Sequence, residues 1–182
     1  MESLEGRLLI AAPELLDPNF VRSVVLMVQH NEQGALGLVL NRPTNKELCQ
    51  LWADVGDEPC NSKGPVYLGG PVPGPIMAVH AVPDLAELEV LEGVFFAARK
   101  DHLDKLVLHT DIPYKVFVGH SGWGPGQLEN ELKLGGWLTA PATIQDVFHD
   151  GDDLWTRLVK GGRTSLPEIL RIKEVPIDPS MN

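Results

Sequence analysis

Apolar runs in this chain are short, and most are broken by glycine or proline. Leu8-Leu9-Ile10-Ala11-Ala12 predicts a strand that Pro13 stops, because a strand interior cannot spare the amide donor. Ser23 to His30 and Ala35 to Asn41 are Val- and Leu-rich runs separated by Asn31-Glu32-Gln33-Gly34, which is the pattern of a β-hairpin. Gly37 inside the second run suggests a bulge or a close backbone approach. Thr44-Asn45-Lys46-Glu47 has the form of a capping box, predicting a short helix to about Trp52, and 53–64 reads as a surface loop.

Pro65 to Leu68 and Ile76 to Val82 read as strands on either side of Gly69-Gly70-Pro71-Val72-Pro73-Gly74-Pro75, a loop shaped by fixed φ at proline and free φ at glycine. Leu88 to Leu91 and Val94 to Ala97 form a second hairpin around Glu92-Gly93. Leu103, Leu106 and Val107 mark a helix face within Asp101 to Leu108. Tyr114 to Val118 is a strand, Gly119 to Gly126 a glycine-rich loop, and Gln127 to Leu134 a helix that Gly135-Gly136 ends. Trp137 to Ala140 predicts a short strand. Pro141 to Phe148 and Asp152 to Lys160 predict helices, the second capped by Asp152 or Asp153, and the tail from Pro167 an irregular or short-helical extension. The sum is an α/β chain of one domain over 1–182, with a core of about 4–160 and an extension over 161–182. Its sheet is mixed, with β-hairpins flanked by short helices, because the hairpin-rich first half excludes a purely parallel sheet.

Length and charge narrow the function. A chain of 182 residues fits one domain, and 43% apolar with 22% charged residues is an ordinary globular composition. Fifteen Lys and Arg against twenty-five Asp and Glu give a formal charge of −10, which disfavours direct nucleic-acid binding. The modest basic cluster Arg157, Lys160, Arg163, Arg171 and Lys173 reads as a solvated helix end and tail. Cys49 and Cys60 have no CxxC or paired-His context, so structural zinc is not expected and reduced thiols in the cytoplasm are. No run approaches the ~20 apolar residues of a membrane span, and the acidic start Met1 to Arg7 does not resemble a secretory leader.

Candidate chemistry concentrates in Gly119-His120-Ser121-Gly122-Trp123-Gly124-Pro125-Gly126. Loops between a strand and a helix are common ligand sites in α/β sheets, and the first amides of the following helix have no partner within it. Trp123 offers a flat apolar wall. The same residues also fit a tight turn with Trp123 packed beneath it. The nucleophile elbow G-x-S-x-G is missed at its fifth position, where Trp123 stands, so hydrolysis through Ser121 is a minor alternative. None of the six histidines forms HxH or HExxH, and Asp150-Gly151-Asp152-Asp153 lacks calcium-loop spacing, so no metal, cofactor or catalytic residue is assigned. Asn41, in Asn41-Arg42-Pro43, offers donors and an acceptor but also suits its own turn.

Several segments together resemble the AlgH/YqgE family of uncharacterised bacterial proteins. They are Leu9-Ile10-Ala11, Pro13, Asp17, Phe20 and Ser23-Val24-Val25; His30, Gly34-Ala35, Gly37 and Asn41-Arg42-Pro43; Gly69-Gly70-Pro71-Val72; Gly119, Gly122 to Glu129 and Glu131; and Trp137 to Ala142. The resemblance covers about 4–160. It implies one α/β domain, no established enzyme activity, and a transcriptional-regulator label that rests on the genetics of alginate production. Two departures stand out: the family often has Tyr-Ala where this chain has His120-Ser121, and it usually lacks a cysteine pair. The reading is therefore a cytoplasmic regulatory protein that binds an unidentified small molecule or protein partner. Its site is expected at Asn41, Gly69, Gly70, Pro71, Gly122, Trp123, Gly124 and Gln127, in one hollow shared by the two loops. Direct DNA binding is the alternative.

Overall fold

A computed structural model describes residues 2–162 and 164. Arg163, Arg171, Lys173 and the expected tail from Pro167 lie outside the described residues. In chain order the strands are β1 (Arg7–Ala11), β2 (Val24–Asn31), β3 (Gly34–Val39), β4 (Pro43–Glu47), β5 (Pro65–Leu68) and β6 (Met77–His80). They continue with β7 (Leu88–Leu91), β8 (Val94–Ala97), β9 (Tyr114–Val118), β10 (Ser121–Trp123) and β11 (Trp137–Pro141). The helices are α1 (Leu48–Val55), α2 (Lys100–Leu106), α3 (Gln127–Lys133), α4 (Ile144–Val147) and α5 (Leu154–Lys160).

The strands form two sheets. The first has the order β10-β3-β2-β1-β11 and every neighbouring pair is antiparallel. The second has the order β4-β5-β9-β6-β8-β7 and holds one parallel pair, β5 with β9. β1 explains the layering. Leu8 and Ile10 face one way, into a core with Tyr67, Met77, Val79 and Phe117 of the second sheet. Leu9 and Ala11 face the other way, into a cluster with Trp123, Leu128 and Trp137. A strand buried on both faces reads as continuous apolar sequence, as 8–12 does. Each such leucine side chain contributes about 2 kcal/mol by leaving water. The outer face of the second sheet packs Val66, Ala78 and Val116 against Leu48 and Trp52 of α1 and Leu106 of α2.

Local signals fail where pairing between distant segments wins. Thr44 does not cap a helix; its hydroxyl donates to Val66 O at 2.7 Å, and 43–47 pair with β5. Helix α1 starts later, where the Gln50 side chain accepts the Glu47 N–H at 3.2 Å. The glycine-rich stretch 119–126 is not all loop, since Ser121, Gly122 and Trp123 pair with Gly37, Leu36 and Ala35 at the free edge of β3. Of the helix expected over Pro141 to Phe148 only Ile144–Val147 forms, because Pro141 belongs to β11, opposite Arg7. Asp153 precedes α5, but its carboxylate meets His149 Nε2 at 2.6 Å. Gly37 lies beside a bulge of β2 between Met27 and Gln29; a Cβ on it would stand 2.5 Å from Val25 Cγ1.

The cysteines also differ from expectation. Cys49 on α1 and Cys60 in the following loop form a disulfide, with Cα atoms 5.2 Å apart. Spacing alone did not reveal it, because the contact depends on the loop folding back beside α1.

Candidate functional site

The loop Gly69 to Val72 and the segment Gly119 to Ser121 do meet, but they fill the space between them. Val72 and His120 exchange backbone hydrogen bonds at 3.0 Å each way. The Ser121 hydroxyl is fully buried and donates to Gly69 O at 3.0 Å. A Cβ at Gly70 would lie 2.3 Å from the His120 carbonyl, so this strip admits no side chain there. The shared hollow expected between Gly69, Gly70, Pro71 and Trp123 is thus occupied by backbone. Asn41 follows β3 alongside this strip, where Val39 N–H donates to Gly69 O and Arg42 O accepts Leu68 N–H, but its side chain is taken up by backbone: its Oδ1 accepts Val24 N–H at 2.9 Å and its Nδ2 donates to Arg22 O at 2.9 Å.

A different hollow opens on the outer face of the first sheet. Gly122, Trp123 and Gln127 line a cavity of about 480 Å³ together with Phe20, Glu131 and Trp137. Strand β10 brings Trp123 from one sheet edge and β11 brings Trp137 from the other, and α3 spans between them. The rings touch: Phe20 stacks on Trp123 at 6.1 Å between centroids and meets Trp137 edge-on at 5.3 Å. Trp123 and Trp137 are themselves edge-to-face at 6.1 Å.

One carboxylate organises the group. Trp123 Nε1 and Trp137 Nε1 each donate to Glu131 Oε2 at 2.9 Å, and Gln127 Nε2 donates to Glu131 Oε1 at 3.2 Å. Gln127 and Glu131 are four apart on α3, so they share one face. Gly124 stands behind this face, giving its N–H to Gln127 Oε1 at 3.1 Å. Glu14, Leu15, Asp17 and Leu134 also line it, and among the described residues no Lys, Arg or His does. Arg42 interacts electrostatically with Asp17, and its guanidinium donates to Asn19 O and Val21 O. The sequence reading missed Phe20, Glu131 and Trp137. A usable signal was present: two tryptophans flanking a short helix that carries Gln and Glu at i and i+4.

Lys115 and His80 are among the other buried titratable groups. Lys115 sends its ammonium to His149 O at 2.7 Å and Leu40 O at 3.3 Å, over the Tyr67 ring at 4.7 Å. Burial pushes it down to about 8, against the pull of Asp150. His80 accepts Val82 N–H at Nδ1 at 3.1 Å, while its Nε2 has no partner. Burial holds it below the usual histidine range, opposed by Glu87. Among the described residues no group of three or more His, Cys, Asp or Glu is placed to hold a metal ion, and no helix is long and apolar enough to cross a membrane.

A two-sheet α/β fold with an aromatic cavity on an outer sheet face is the class these features define. Residues 8–165 match the model of the AlgH-like family, DUF179, and the chain belongs to that family. It is 40% identical over 167 residues to a UPF0301 protein of Chlorobium limicola, covering 86% of this chain and 87% of the relative. A UPF0301 protein of Streptomyces avermitilis is 36% identical, over 100% of this chain and 97% of its own. Among solved structures, the AlgH protein of Pseudomonas aeruginosa superimposes with a TM-score of 0.70 at 31% identity, covering 89% of this chain and 92% of its own. A Corynebacterium diphtheriae protein, DIP2367, gives 0.73 at 26% identity, covering 93% and 92%.

Proposed function

We propose that this chain is a ligand-binding regulatory protein whose site is the cavity between α3, Trp123, Trp137 and Phe20. The supporting observation is that cavity itself: about 480 Å³, lined by Phe20, by the buried Trp123 and Trp137, and by one carboxylate that accepts from both indoles. Small-molecule sites have this character, apolar walls with a few fixed polar groups, and volumes of about 300–1,000 Å³. Asp17, Phe20, Trp123, Gln127, Glu131 and Trp137, through which the chain resembles its family, all line it. The site thereby narrows from the expected eight residues to Gly122, Trp123 and Gln127, with Phe20, Glu131 and Trp137 added.

Binding is favoured over hydrolysis because the Ser121 hydroxyl is buried and bound to a carbonyl. It is favoured over direct DNA reading because the chain carries a formal charge of −10. We place the protein in the cytoplasm. Its Cys49–Cys60 bridge is then opened by the thiol pool there, since disulfides rarely persist in that compartment.

The test is a fragment-library screen read by the indole N–H signals of Trp123 and Trp137 in two-dimensional NMR. Compounds that move both signals saturably, and bind at least about tenfold more weakly to Gln127→Ala, are the expected result. A library that leaves both indoles unmoved removes the reading.

A further inference from the structure

We propose that a second hollow, on the far side of the molecule from the aromatic cavity, binds a phosphomonoester carried on an apolar group. It shares no residue with the aromatic cavity, so the two readings stand or fall separately.

The hollow measures about 370 Å³. Residues 61–63, just before β5, line one side; His109, Thr110 and 112–114, where α2 gives way to β9, line the other. Both sides are anchored. Asn61 N–H donates to Val107 O at 2.9 Å and Asn61 Nδ2 to Leu108 O at 3.2 Å, while Leu48 N–H donates to Gly64 O at 3.0 Å. Ile112 and Tyr114 pack against the buried cluster of α1, α2 and the second sheet. A pocket fixed in this way before the ligand arrives loses little freedom on binding, and its volume falls within the ~300–1,000 Å³ of small-molecule sites.

Charge gives the sign of the ligand. Lys63 and His109 line the hollow, and among the described residues no Asp or Glu does; Asp111 belongs to the same segment but not to the lining. Neither the Lys63 nor the His109 side chain makes an ion pair or hydrogen bond with another described residue. The backbone carbonyls that follow α2 would oppose an anion if bare, but each is taken: Val107 O and Leu108 O by Asn61, and His109 O by the Tyr114 hydroxyl at 3.4 Å. The chain's overall charge of −10 is screened beyond about 8 Å at physiological ionic strength, so the groups of the lining decide.

The donors give the kind of anion. The Lys63 ammonium has three N–H groups, the His109 ring at least one, and the Ser62 and Thr110 hydroxyls one each. Ser62 Oγ accepts Gly64 N–H at 3.2 Å, which leaves its own proton to give. A phosphomonoester brings three strong acceptor oxygens and nearly two charges at neutral pH, where a carboxylate brings two oxygens and one charge. Ile112 and Pro113 supply an apolar wall for the group that carries the phosphate.

The experiment uses the full chain at constant ionic strength and follows the amide signals of Ser62, Lys63, His109 and Thr110 by NMR, with the Trp123 and Trp137 indoles as internal control. The probes are phenyl phosphate, inorganic phosphate, benzoate and benzyl alcohol. Phenyl phosphate is expected to move the four amides saturably, about tenfold or more tighter than any of the other three, and to leave both indoles in place. Lys63→Gln, an exposed change, should weaken it about tenfold or more, and His109→Gln about threefold to tenfold. N-acetyl-O-phosphoserine amide separates the sources: tighter binding than phenyl phosphate puts the phosphate on a polypeptide, weaker binding on a small molecule, and either keeps the site. Equal binding of benzoate or benzyl alcohol overturns the phosphomonoester assignment, and equal binding of inorganic phosphate overturns the apolar group. Unchanged affinity in both variants, or silence of every probe, removes this site and leaves the aromatic cavity untouched.

Discussion

Lys115 shows how far a single residue departs from what its neighbours in sequence suggest. Within 114–118 it is the polar position of an apolar strand, yet it is buried, its ammonium spanning Leu40 O and His149 O. Its amine sits at about 8, below the usual lysine value of 10.5, because burial disfavours the charge. The sign follows directly. Between pH 8 and 10.5 the unfolded chain holds a proton there that the folded chain has released, so stability rises with pH across that window. The full gain is about 3 kcal/mol. Chemical denaturation at pH 7.5, 9 and 10.5 should show the wild type gaining on Lys115→Met across the series; parallel curves would contradict the buried-amine account. The sequence could not reveal this, since both carbonyl partners lie at least 34 residues away along the chain. Asn41 fails in the same way: the sequence suggests that it satisfies its own turn, yet its side chain accepts from Val24 N–H and donates to Arg22 O, 17 and 19 residues away.

At the scale of elements, period and punctuation were enough for the hairpin of β2 and β3, the hairpin of β7 and β8, and helix α3. Each is specified by contacts within a few residues. The failures share one cause. Residues 43–47 and 121–123 contain good local signals for a cap and a loop, but each lies beside a strand with unpaired amides, and ladder formation outweighs the local preference. The candidate site divides in the same way. Trp123, Gly122 and Gln127 were legible as a strand-to-helix segment of unusual composition. Phe20 and Trp137 were not, because only the completed first sheet brings them together. Gly69 and Gly70 were legible as special but not as to purpose; they let two backbones touch. Gly70→Ala should therefore cost about 3 kcal/mol through overpacking against His120, measured as a shift in urea midpoint. It should leave the Trp137 indole signal of the surviving folded protein in place, since Trp137 comes from the opposite edge of the sheet to Ser121. A change in cavity affinity larger than the loss of folded protein would show the strip and the cavity to be coupled.

For the whole molecule, the α/β class and the hairpin-rich mixture were readable, but the stacking of two sheets was not. Apolar runs such as 8–12 show burial on both faces without saying whether a helix or a second sheet covers each face. The Cys49–Cys60 bridge is likewise a property of assembly. It ties α1 to its following loop on the outer face of the second sheet, away from the aromatic cavity. Closing a loop of sequence separation 11 restricts the unfolded chain by about 3 kcal/mol. Under oxidising conditions Cys49→Ser should lose about that much stability. Added dithiothreitol should bring the wild type to the same urea midpoint, and the variant should be insensitive to it. Unchanged wild-type midpoints with and without reductant would mean that the bridge does not constrain the unfolded chain.

The order of strands in the first sheet has a consequence for how the protein is made. β1, β2 and β3 leave the ribosome first, while both flanking strands come from 121–141. Until that later stretch emerges, the nascent three-stranded core has two bare borders and lacks both indoles of the cavity. The last third of the described chain thus closes the sheet and completes the cavity in one step, so no earlier-made fragment contains the proposed site.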